Sequence, residues 1–281
     1  MTDTAHTRFL FAPGDLRGSE AIDDVALITA IGQVETAWIV AQGRVGLVSS
    51  EIRAEVAAAI DATIHTLTND HTQLQALGED AESGGNPLIP FLALVRSRLS
   101  PEASRCLHRG LTSQDVIDTA IGLLVSRVVR HMQARLEVIG ASLVELSDAH
   151  AQTLCLARTL TQPALPTTFG LKAAAWAAEV NEVQGQAPYV DYVQVGGAAG
   201  TRAAIRWFAG DSTESLLREF HVQMVGPDAA LTQIPVPWHT DRVRILSWGS
   251  HLAQCVTVGA SIARDVLIGV RPEIGELSLA S

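Results

Sequence analysis

"QDVIDTAIGLLVSRVVRHMQARLEVIGASLVELSDAH", residues 114–150, is the stretch that decides the fold. Apolar side chains fall at Ile117, Ile121, Leu124, Val128, Met132, Leu136, Ile139, Leu143 and Leu146, each three or four residues after the last. That spacing follows the 3.6-residue turn of an α-helix and gathers these side chains on one face. Gly122 and Gly140 are the only helix breakers in the run. A helix from near Gln114 to near His150 would be about 50 Å long at 1.5 Å per residue. Soluble helices of that length belong to bundles or oligomer cores, where other helices cover the long apolar face.

The same period recurs on both sides. Val25, Ile28, Ile31, Val34, Trp38 and Ala41 predict a helix over residues 23–46. "SSE" at 49–51 starts another, which Ile52, Val56 and Ile60 continue towards Leu67. "ESGGNPLIP", 82–90, breaks any regular element and precedes a short apolar helix over 91–99. Pro166 stands before a long helix over 168–184. The glycine-rich "VGGAAGTRAAI", 195–205, leads into shorter helices, and a last long helix begins near Thr240. No stretch alternates with a period of two, so the predicted class is all-α, a long-helix bundle.

Composition bounds the function. The 281 residues are 47% hydrophobic and 18% charged, yet no uninterrupted run of about 18 apolar residues predicts a membrane span. The N-terminus lacks the basic start and apolar core of a signal peptide, so a cytoplasmic location is expected. A net charge of −10 argues against nucleic acid or an anionic membrane as partner. Cys106, Cys155 and Cys255 form no Cys-x-x-Cys, and the nine histidines show no metal-ligand spacing, so reduced thiols and no metal are expected. Nineteen arginines accompany one lysine, Lys172; any chemistry that needs a lysine has a single candidate.

Two polar stretches carry candidate chemistry. "HRGLTSQDVIDTA", 108–120, stands in front of the long helix. Thr112 and Ser113 suit an N-cap, and Asp115 lies in the first turn where the macrodipole favours an acid. A cap needs one hydroxyl, whereas His108, Thr112, Ser113 and Gln114 together offer a row of donors. The alternatives are a helix start alone or a carboxylate site at a helix N-terminus. "ARTLTQPALPTTFGLKAAAW", 157–176, repeats the pattern with Arg158, Thr159, Thr161 and Gln162 on a connection pinned by Pro163 and Pro166.

"HRGLTSQDVIDT" resembles the first signature region of the fumarase/aspartase superfamily, and "RTLTQPALPTTFG" resembles the second. "GGNPLIP", "VQVGGAAGT" and "PWHTDRVRI" sharpen the resemblance towards its 3-carboxy-cis,cis-muconate cycloisomerase branch, in the same order over almost the whole chain. The resemblance implies a homotetramer with a central bundle of long helices and active sites assembled from three subunits. It implies a small polycarboxylate substrate, no cofactor, and addition or elimination at a carbon next to a carboxylate. In the cycloisomerase a carboxylate oxygen of 3-carboxymuconate adds across a conjugated double bond to give 4-carboxymuconolactone, a step of protocatechuate breakdown, in the β-ketoadipate route of aromatic catabolism. By the family pattern Asn86, His108, Thr112, Ser113 and Gln114 line the substrate cavity with Arg158, Thr159 and Gln162. Arg158 and Arg242 are either charge partners of the substrate or structural ion pairs.

Two departures qualify the resemblance. Leu160 stands where lyases of the superfamily place a histidine; this favours the cycloisomerase branch over adenylosuccinate lyase. The third signature region, a serine-rich loop that ends in Met-Pro-x-Lys and holds the catalytic base, is expected after a stretch like "RPEIGELS", beyond Ser281. The catalytic residues are thus unassigned. The expected organisation is an N-terminal helical domain over 1–105, an incomplete bundle domain over 106–281 and no C-terminal domain. An elimination enzyme of the adenylosuccinate type and a catalytically silent helical oligomerisation module are the alternatives.

Overall fold

A computed structural model describes residues 21–160, 162–226 and 236–278. Its helices are α1 (Asp24–Arg44), α2 (Ser50–Asn69), α3 (His71–Gly84), α4 (Leu88–Arg96), α5 (Pro101–Cys106), α6 (Ser113–Ala149), α7 (Phe169–Gly185), α8 (Ala203–Ala209), α9 (Thr213–Val225) and α10 (Val243–Gly269). The run that opened the sequence reading is one helix of 37 residues, α6. The all-α class holds.

Two elements depart from the sequence reading. α3 is mostly polar and fully buries only Leu77, with Leu74 partly buried beside the core, so no long apolar stripe announces it. It starts because the Asp70 carboxylate accepts the backbone N–H groups of Thr72 and Gln73 at 3.0 and 3.2 Å. The second signature region is not an irregular connection but an antiparallel hairpin, β1 (Leu154–Thr159) and β2 (Gln162–Thr168). Its register runs from Leu154 opposite Thr168 to Thr159 opposite Gln162, with an irregularity between Leu156 and Arg158. Each strand of so small a sheet is an edge strand, so Pro163 and Pro166 withdraw no donor that a third strand needs. No side chain of either strand is fully buried, which removes the alternation by which strands are read.

Contacts group the chain into two compact units, each made of two segments. The division falls within α6 at Arg127, and the two halves of that helix serve different cores. In the first unit, residues up to Arg127 and Val190–Arg242, Val116, Ala120 and Leu124 of α6 join Ile31, Val34, Trp38, Ile60, Phe91, Leu216 and Phe220. Trp38 meets Phe220 edge to face at 5.1 Å between ring centres. In the second unit, Val128–Tyr189 and Val243 onward, Leu136 and Leu143 of α6 pack with Trp176 and Val180 of α7 and Cys255 and Val258 of α10.

The α6 stripe is only partly covered: Leu124, Leu136 and Leu143 are buried, while Ile139 is exposed. α1 and α10 are long and apolar enough to cross a bilayer by length and composition alone. α1 spends that character on the first core. α10 leaves Val243, Leu246, Val256 and Leu267 exposed.

Candidate active site

The first cluster lies in the first unit, at the start of α6. Asp115 is its keystone. This buried carboxylate accepts the backbone N–H groups of Gly196 and Gly197, both at 2.8 Å, that of Thr112 at 3.0 Å, and the Gln194 side-chain amide at 3.0 Å. One acid thus ties the glycine-rich loop to the mouth of α6. Gln194 extends the tie: its Oε1 accepts from Trp238 N–H at 2.8 Å, and its backbone N–H donates to Thr119 Oγ1 at 2.9 Å. "HRGLTSQD", "VQVGGAAG" and "PWHTDR" are therefore parts of one hydrogen-bonded assembly.

The caps differ from the sequence reading. Neither the Thr112 nor the Ser113 hydroxyl has a hydrogen-bond partner among the described residues; the Asp115 carboxylate takes the Thr112 N–H instead. Both hydroxyls are half-buried and uncommitted. Gln114 donates to Asp118 at 2.6 Å, and Arg242 grips the same buried carboxylate with two bonds of 2.8 Å. That bidentate bond holds the Arg242 guanidinium above its ordinary pKa and commits its charge within the chain. Arg109 stacks on the Phe208 ring at 4.4 Å. Gly110, at φ +82°, has no room for a side chain, since a Cβ would come within 2.7 Å of Phe208 and 2.9 Å of Ile205. His108 places Nδ1 2.6 Å from the buried Glu35. Asn86 stays in its own turn, where its Oδ1 accepts the Leu88 N–H at 3.1 Å.

The second cluster belongs to the second unit. Thr159 and Gln162 flank the exposed hairpin tip, where Leu160 is 92% exposed; Thr161 lies outside the described residues. Arg158 clamps Glu276 with bonds of 2.8 and 2.7 Å. The bond raises the guanidinium and holds the Glu276 carboxyl below the usual carboxylate range. Lys172 sits 3.5 Å from Asp265, which also accepts the Trp176 indole N–H at 3.0 Å. These two ion pairs line a cavity of about 420 Å³ with Cys155, Thr167 and Phe169. Its cations are matched by its acids, so it offers no net positive charge.

The predicted site residues thus fall into two clusters, one in each unit, and Asn86 bonds only within its own turn. Sequence reading missed Glu35, Asp118 and Gln194 and took Asp115 for a dipole acid. The signal for Glu35 was present: a lone acid inside the apolar "GQVETAWIVAQG", 32–43. Burial raises the Cys106 and Cys255 thiols, which makes neither a ready nucleophile.

The chain is similar to known proteins over most of its length. Nitrosuccinate lyase of Streptomyces davaonensis is 35% identical over 267 residues, 92% of this chain and 54% of that protein. A 3-carboxy-cis,cis-muconate cycloisomerase of Bradyrhizobium diazoefficiens is 33% identical over 267 residues, 91% of this chain and 55% of that protein. The solved structure of 3-carboxy-cis,cis-muconate lactonizing enzyme from Pseudomonas putida matches with a TM-score of 0.79 at 26% identity, over 92% of this chain and 57% of that one. The chain spans about half the length of the curated relatives it matches. The profile of the lyase family covers residues 19–279 and so takes in both clusters. By that match, and by a helical fold shared with its solved relatives, the chain belongs to the lyase family of the fumarase/aspartase superfamily.

Proposed function

We propose that the chain binds a small polycarboxylate and belongs to a 3-carboxy-cis,cis-muconate cycloisomerase. The single observation that carries the carboxylate reading is the pair of uncommitted hydroxyls, Thr112 and Ser113, held at the α6 N-terminus by the Asp115 assembly. Hydroxyls that cap nothing are free to donate to a carboxylate, and a helix N-terminus favours that anion. In the proposed reaction one carboxylate oxygen of 3-carboxymuconate forms a C–O bond to the diene as its π bond breaks, and the carbon next to another carboxyl takes up a proton from solvent. No atom leaves and no electron is transferred. Charge grows on that carboxyl as the carbon becomes carbanion-like, and one preorganised donor lowers such a barrier by about 3 kcal/mol. Thr159 and Gln162 would donate from the second half-site. A homotetramer would let half-sites of different copies meet, and the exposed apolar residues of α6, α10 and the hairpin support assembly.

A second reading, elimination from a substituted succinate, is supported by the 35% identity to nitrosuccinate lyase. Leu160 stands where the superfamily's lyases carry a histidine acid and where cycloisomerases also depart from histidine, which favours the cycloisomerase. Incubation with 3-carboxymuconate, following the diene absorbance, and separately with nitrosuccinate, following nitrite and fumarate, separates the two. Loss of the diene with lactone formation is expected, by this chain or by the chain extended with a serine-rich loop. Nitrite release without lactone transfers the assignment to elimination, and no turnover of either substrate by either form removes both.

A further inference from the structure

Glu35 is a fully buried acid on the core face of α1, and such a group destabilises a core unless it is bonded. Its Oε1 lies 2.6 Å from His108 Nδ1, while Oε2 has no partner among the described residues. A leucine would suit α1 better if packing were the only demand. His108 is itself held in a costly backbone conformation, with φ at +58°. α1 supplies what holds it there: Trp38 donates to Arg109 O at 3.0 Å and Gln42 to Cys106 O at 3.4 Å. Glu35, Trp38 and Gln42 share one helix face and grip residues 106–109 at three points. The imidazole keeps 14% of its side chain exposed, and Nε2 has no partner among the described residues.

We propose that Glu35 is the positioning residue of His108, accepting Nδ1–H in the core and so turning Nε2 outward, where a proton taken up from solvent on binding lets Nε2–H donate to a carboxylate of the substrate. With one ring nitrogen committed to the carboxylate, tautomer and ring orientation are fixed together. The proposal deepens the carboxylate-site reading above and rests on it.

The test is nitrogen-15 NMR of the histidine rings in the full chain, combined with calorimetric titration of tricarballylate, an unreactive tricarboxylate. Neutral His108 is expected to carry its proton on Nδ1, and tricarballylate is expected to shift Nε2 to the protonated position, with uptake of one proton. Glu35→Leu and His108→Ala should each weaken tricarballylate about tenfold, and the double variant should be no weaker than His108→Ala alone. Glu35→Gln keeps an oxygen acceptor and should restore the wild-type tautomer and most of the affinity. A proton on Nε2 alone in the wild-type chain overturns the proposal, as do losses that add in the double variant. The tautomer is read on the wild-type chain, so it decides the matter even where Glu35→Leu does not fold. Absence of tricarballylate binding by every form would remove the carboxylate-site reading, while the tautomer still upholds or overturns the Glu35–His108 pairing.

Discussion

His221 and His251 are buried imidazoles, one in each unit, and desolvation pushes both below the ordinary value of 6.5. His251 Nε2 contacts Gln133 at 3.3 Å and Cys255 Sγ at 3.7 Å, and its Nδ1 has no partner among the described residues. The unfolded chain therefore takes up protons on these rings as pH falls through 6.5, while the folded chain refuses them until a lower pH. Stability is lost across that window, and the loss ends below the folded value. A thermal midpoint that falls from neutral pH towards pH about 5.5 is expected, and His251→Gln should flatten the slope. At the other site, Thr112→Ala with Ser113→Ala tests hydroxyls that cap nothing. Removing a working cap costs about 1 kcal/mol or more, so the pair should cost less than that while tricarballylate binding falls at least tenfold. Unchanged binding, measured by calorimetry, would leave those hydroxyls without a substrate role.

At the scale of elements, a carboxylate and a glycine-rich loop set the site. Asp115 satisfies four donors from Thr112, Gln194, Gly196 and Gly197. Asp115→Ala should leave several of them buried and unpaired at about 1 to 3 kcal/mol each, so urea unfolding should show a loss of about 3 kcal/mol or more. A loss below about 1 kcal/mol would mean that water replaces the carboxylate. The elements differ in how far their sequences reveal them. α6 was legible because a period near 3.6 persists through nine apolar positions. α3 was not, since its start depends on the Asp70 side chain and its face fully buries only Leu77. The hairpin was hidden by two prolines and by strands with no buried side, features that local pattern cannot separate from a loop. Asp115 was visible as a first-turn acid, but three of its four donors lie about 80 residues onward, a separation that no local pattern spans.

At the scale of the molecule, exposed apolar surface is the unfinished part of the fold. Among the residues of α10, Leu246 and Val256 are each 68% exposed and Val243 and Leu267 are similarly open, on a helix that buries Trp248, Cys255 and Val258. The hairpin adds Leu154 and Leu165, both 78% exposed. The family resemblance gave an assembly its expected shape, whereas the sequence period gave only the helices; which faces stay uncovered emerges from the packing of each unit. If copies of the chain cover α10, then Leu246→Glu with Val256→Glu places two charges in a buried interface, at several kcal/mol each after desolvation. In a single chain the same substitutions sit in water and cost little. Light scattering should therefore show the wild-type chain as an oligomer, with the double variant shifted to lower mass at the same helical content by circular dichroism. A wild-type chain already monomeric at micromolar concentration would end the proposal of shared sites, because half-sites on separate copies would then have nothing to bring them together.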